Sequence, residues 1–151
     1  MLGLWQYSPG DSTSLERRVF TPMIFRSLTR FAPLGLLLLR LMIGIIFVDS
    51  GWEDLRNPEQ RSQSIGQSRN FTIFLGTAEV LGGAAVVLGI WPQLAALGLI
   101  LVMMGSIYEK IFVWHTGFWG DKTYGWHYDL MLVVMNLVVV FTNGGPWVVT
   151  K

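Results

Sequence analysis

The chain has no cysteine, only two histidines and little charge, with 14% of its 151 residues being Asp, Glu, Lys or Arg. Without a thiol it forms no disulfide, thiolate metal site, iron–sulfur ligation or dithiol couple, so any redox role must use another carrier. Two histidines and no cysteine also argue against a structural zinc site, and no metal is expected. A net charge of +1 with no Lys/Arg run excludes a phosphate-tracking surface, which sets nucleic acid aside. There is no phosphate loop, dinucleotide fingerprint, nucleophile elbow or metalloprotease helix motif. The N-terminus lacks the charged region, short apolar core and small-residue cleavage site of a removable signal. The first long apolar segment is therefore expected to stay as an anchor.

What the chain does have is hydrocarbon. Hydrophobic residues make up 52% of it and mean hydropathy is +0.47, more apolar than a soluble domain of this length can cover with polar surface. Four stretches approach the roughly 20 residues that cross a bilayer: 31–49, 71–90, 93–113 and 126–142. The expected fold is all-α, an integral membrane antiparallel four-helix bundle with an amphipathic N-terminal segment. Residues 1–30 form the arm, 31–146 the four-helix transmembrane domain, and 147–151 a short tail. Trp91-Pro92 is too short a link to allow anything but antiparallel neighbours. The two longer links, polar between the first spans and aromatic and Gly-rich before the last, then share the opposite side.

Lys and Arg near the span ends decide orientation. Arg17, Arg18, Arg26, Arg30 and Lys151 stand on one side, Arg56, Arg61, Arg69, Lys110 and Lys122 on the other. The dense cluster before the first span tips this tie toward both termini being cytoplasmic, in a prokaryotic inner membrane. In the arm, Thr13-Ser14-Leu15-Glu16 fits a capping box, and Thr21-Pro22 starts a second short helix. Arg26 and Arg30 lie on a different face from Ile24, Leu28 and Phe31. The arm thus suits either the lipid interface, with its arginines at anionic headgroups, or a partner subunit. Small residues, Gly76, Ala78, Gly82, Gly83, Ala85 and Gly89 in the second span and Ala95, Ala96, Gly98, Gly105 and Ser106 in the third, are expected to permit close helix packing.

Arg40 stands inside "LLLLRLMIGIIFVDSGWEDL", where a lone charge is costly and a partner facing the bundle interior is expected. If the first span ends near Asp49, Arg40 and Glu79 lie at equal depth on antiparallel neighbours, and Asn136 reaches a similar level. These three are read as an intramembrane polar pair or pocket. The alternatives are a buried ion pair that fixes helix register and a pocket for a quinone, small metabolite or proton.

A second polar group gathers at the outer ends: Asp49, Glu53 and Asp54, then Tyr108, Glu109 and Lys110, then His115, His127 and Asp129. His127 and Asp129 are two apart and do not share a helix face. A single imidazole, His127 or His115, could ligate haem or chlorophyll, but nothing local specifies it. The tryptophans and tyrosines of this end suit an interfacial aromatic belt.

Three runs, "LLLLRLMIGIIFVDSG", "AEVLGGAAVVLGIWPQLAALGLILVMMGSIY" and "WHYDLMLVVMNLVVVFTNGGP", together resemble the DoxX family of small four-helix membrane proteins. The resemblance spans about Phe31 to Pro146 and implies a four-helix bundle with both termini cytoplasmic. It also implies links to quinone-coupled oxidation of sulfur compounds and to membrane complexes that handle oxidative stress, often beside a separate redox subunit. The long arm and the elongated first loop depart from the family pattern. The expected function is therefore an accessory or structural subunit, itself non-catalytic, of a larger membrane redox or energy-converting complex. The alternative is a quinone-linked oxidoreductase component. A small-solute transporter ranks below both, as no inverted repeat or broken helix is evident.

Overall fold

A computed structural model describes residues 28–120 and 125–150. The chain divides into two units, Met1–Ala32 and Pro33–Lys151. Of the first, the described part is a 3₁₀ turn over Thr29–Phe31, where the Arg30 guanidinium lies 5.2 Å from the centre of the Phe31 ring. The capping box and Arg17, Arg18 and Arg26 lie outside the described residues.

The second unit is helical throughout, with no strand among the described residues. Its elements are α1 (Ala32–Arg56), α2 (Pro58–Ile65), α3 (Arg69–Leu88), α4 (Pro92–Tyr108), which continues through a π-helical turn at Glu109–Val113, and α5 (Trp126–Thr142). Thr29–Arg56, Arg69–Leu88 and Pro92–Val113 are each long and apolar enough to cross a membrane, and Trp126–Thr142 is a shorter apolar helix. At 1.5 Å per residue its 17 residues reach about 26 Å. We call the end at which α1 stops and α2 lies the upper end, and the opposite end the lower.

Two expectations about the first span need correction. Its helix runs past Asp49 to Arg56, and the polar link that follows contains a helix, α2. Hydropathy marks where hydrocarbon ends, whereas helix termination needs a breaker. None occurs until Pro58, which forces the preceding Asn57 out of the helical region (φ −131°). Pro58 then starts α2 at a position where its missing N–H is harmless, and Gly66 ends α2 in the left-handed region (φ 71°).

The other boundaries follow local chemistry. Ser68 caps α3 by accepting the Phe71 amide. Gly89, at φ 71°, closes α3 with its N–H on the Ala85 and Val86 carbonyls. Trp91 turns the chain at φ 42°, and Pro92 starts α4. This link makes α3 and α4 an antiparallel hairpin.

The small residues pack as expected in α3 but not throughout α4. A Cβ on Gly51 of α1 would lie 2.5 Å from the Gly76 carbonyl oxygen, and one on Gly83 would lie 3.1 Å from that of Gly44. Side-chain-free faces therefore bring α1 and α3 backbone to backbone. Gly82 instead seats Leu99 of α4. Gly98 and Gly105 face open space, with nothing within 4 Å of a would-be Cβ. At opposite ends of the α4–α5 pair, Gln93 Nε2 donates to the Val140 carbonyl (2.8 Å) and Ser106 to Asp129 (3.1 Å). The core between the helices is built from Ile43, Phe47, Val86, Leu99, Leu132 and Val139, none more than 2% exposed.

Candidate functional site

Arg40 and Glu79 do not pair. Arg40 is 1% exposed, and all its hydrogen bonds go to backbone carbonyls. Nε donates to Val86 (2.7 Å), Nη2 to Val87 (2.6 Å), and Nη1 to Trp147 (2.6 Å) and Gly144 (3.3 Å). These are carbonyls of the last turn of α3 and of the turn after α5, where helix ends leave acceptors unmet and the dipole is negative. A buried cation is thus neutralised without a carboxylate.

Arg40 and Glu79 stand at different depths because α1 extends beyond Asp49. The α1 residue facing Glu79 is Gly51, whose would-be Cβ lies 2.9 Å from Glu79 Cβ. That is about 16 Å along the axis from Arg40 at 1.5 Å per residue. Asn136 joins neither charge. Fully buried, it donates to the Leu132 carbonyl of its own helix (2.9 Å), and its Oδ1 has no partner.

Glu79 instead faces a cavity of about 1190 Å³ in the upper half of the bundle. Phe47, Met103 and Leu132, all under 8% exposed, give it an apolar floor. Glu79 is 4% exposed. The Ser50 hydroxyl donates to its carboxyl, while its Oε2 is buried and unpartnered. Above it, α2 supplies Arg61, whose Nε binds Asp54 Oδ1 at 2.8 Å. Lys110 Nζ reaches Asp129 Oδ2 at 2.6 Å, with Ser106 on the other oxygen. Gln67 donates to Glu109. Asp49 and Glu53 stand exposed at the mouth.

Of the outer polar cluster anticipated from sequence, Asp49, Glu53, Tyr108, Glu109 and Asp129 line this cavity, as do Asp54, Lys110 and His115, and the cluster merges there with Glu79. His127 does not line it. Its Nδ1 lies 2.7 Å from the Phe118 carbonyl, and its ring packs 5.1 Å from that of Trp119. Ser50, Arg61, Gln67 and Ser106 are participants that sequence reasoning missed. Ser106 and Lys110 carried a legible signal: spaced by four on one helix, they share a face and converge on one carboxylate. Arg61 and Gln67 carried none, because their roles depend on α2 folding back over α1 and α3. Among the described residues, no three His, Asp or Glu side chains converge as metal ligands.

Several aromatic residues gather at the upper end. Phe118 packs edge-on against Trp126 and Trp119, and Trp52, Phe112 and Trp119 are each more than 60% exposed, as suits rings at a membrane interface.

No solved structure matches the chain. It is 26% identical over 129 aligned residues to the uncharacterized membrane protein Rv3486 of Mycobacterium tuberculosis, an alignment that covers 76% of this chain and 78% of the relative. The DoxX family model matches residues 35–116, which hold Arg40, Glu79, α2 and every cavity residue except those of α5. With more than half its length in that match and its apolar helices long enough to span a bilayer, this chain is an integral membrane protein of the DoxX family.

Proposed function

We propose that this protein is the membrane subunit of a larger redox complex and that it holds a quinone headgroup in the upper cavity. The observation that supports this reading is Glu79, a carboxyl at the wall of an apolar-floored cavity with one buried oxygen left unmatched. Such a group can exchange a proton with a ring hydroxyl or hold it in place. Ile45, which lines the cavity, is 62% exposed on the apolar flank of the bundle, a route by which an isoprenoid tail reaches lipid. The electrons in this reading come from a separate redox subunit. In this reading the upper end faces outward and both termini are cytoplasmic, the orientation favoured by the arginine cluster before α1.

The Arg40 half of the anticipated pocket plays no part in this site. The test is gentle solubilisation, followed by native mass spectrometry for partner chains and chromatography of the extracted lipids for quinone. The expected result is copurifying quinone that Glu79→Ala loses while the helical bundle remains intact. A chain that runs alone without quinone would reject the proposal.

A further inference from the structure

The buried side-chain polar atoms without a partner, among the described residues, are Glu79 Oε2 and Asn136 Oδ1, and of these residues only Glu79 lines the upper cavity. Both oxygens of an ionised carboxylate are acceptors. Three of the cavity's donor groups already bond acidic side chains: Arg61 Nε with Asp54, Lys110 Nζ with Asp129, and the Gln67 amide with Glu109. Asp49 and Glu53 add negative charge at the mouth, and no cation among the described residues forms an ion pair with either.

We propose that this cavity selects ligands presenting a hydrogen-bond donor on an apolar body, and that the Glu79 carboxylate is the group that receives it. A ligand offering only acceptors, such as the two carbonyls of an oxidised quinone, leaves an ionised Glu79 unsatisfied, and a buried acceptor without a donor is penalised. An oxyanion also meets repulsion from the mouth. A donor satisfies the carboxylate while its apolar body covers Phe47, Met103 and Leu132. Two chemistries supply such a donor: the phenolic hydroxyl of a quinol and the ammonium of a lipophilic amine. The rule therefore stands apart from the quinone reading above. If a quinone is the natural ligand, the form held more tightly is the reduced one.

The test titrates the full chain in lipid nanodiscs with decyl-ubiquinol, decyl-ubiquinone and dodecylamine, alongside Glu79→Gln, whose amide both donates and accepts. At least one donor ligand should bind about ten-fold or more tightly than decyl-ubiquinone. Glu79→Gln should narrow that gap to about three-fold or less by gaining affinity for the quinone. Equal binding of quinol, quinone and amine would overturn the donor rule and leave the quinone site standing. Binding of dodecylamine alone, dependent on Glu79, would uphold the rule and remove the quinone. Binding of none of the three would remove both. The preference of the unmodified protein decides the matter even if Glu79→Gln does not fold.

Discussion

Gly51 and Gly76 face each other across the α1–α3 interface with their backbones in direct contact: a Cβ on either would come within 2.8 Å of the other's carbonyl oxygen. This contact fixes the separation of the two helices beside Glu79, and with it one wall of the cavity.

Alanine at either glycine must push backbone away from backbone, since a carbonyl oxygen that cannot swing aside stands among the atoms nearest the added Cβ. Gly51→Ala should lose about 1–3 kcal/mol, the usual penalty of overpacking. Thermal unfolding in detergent micelles, followed by size-exclusion chromatography, would show it as a lowered midpoint. Gly98→Ala, which meets nothing within 4 Å, should not lower the midpoint and gains helix propensity.

Arg40 and Glu79 serve opposite ends of the bundle, so their substitutions should be independent. Arg40→Ala strands carbonyls at the ends of α3 and α5 and should destabilise by about 3 kcal/mol or more, the scale for disrupting a buried charged network. Glu79→Ala adds its own smaller effect. The double variant should equal the sum within about 0.5 kcal/mol. A coupling energy well above that, measured in a double-mutant cycle, would mean that the two charges sense each other after all.

Lys110 and Asp129 behave differently. Their side chains are 14% and 6% exposed and their charges meet at 2.6 Å. Lys110→Met alone leaves Asp129 charged and under-satisfied, with Ser106 as its remaining partner, and should lower stability by about 3 kcal/mol. Adding Asp129→Asn should restore most of the loss, because a neutral amide in the same place needs no counter-ion. The readout is again the unfolding midpoint, together with protease resistance of the segment between α4 and α5.

Hydropathy located the spans well: α5 begins and ends at the expected residues, and α3 lies within two of them. It could not locate the top of α1, because the helix leaves the apolar region before it meets a proline. One misplaced end was enough to set Arg40 level with the wrong residue. The true partners of Arg40 are backbone carbonyls, which every residue owns and no side-chain pattern reveals. The cavity residues were more legible. Span ends that face one side must cluster, so Asp49, Glu53, Tyr108, Glu109 and Asp129 fell together on the page and in space. Which carboxylate pairs with which cation was not legible, since it depends on α2 folding back. His127 was misplaced because its ring turns to the Phe118 carbonyl, a partner in a loop of no regular structure.

The acceptors around Arg40 lie unequally far along the chain. Val86 and Val87 follow it by 46 and 47 residues, Gly144 and Trp147 by 104 and 107. During synthesis the first span therefore enters the bilayer with a bare guanidinium. It acquires its first acceptors when α3 arrives and the rest only after α5 has been made. A chain interrupted before α5 would keep a half-met charge in hydrocarbon, a cost that only the finished bundle removes.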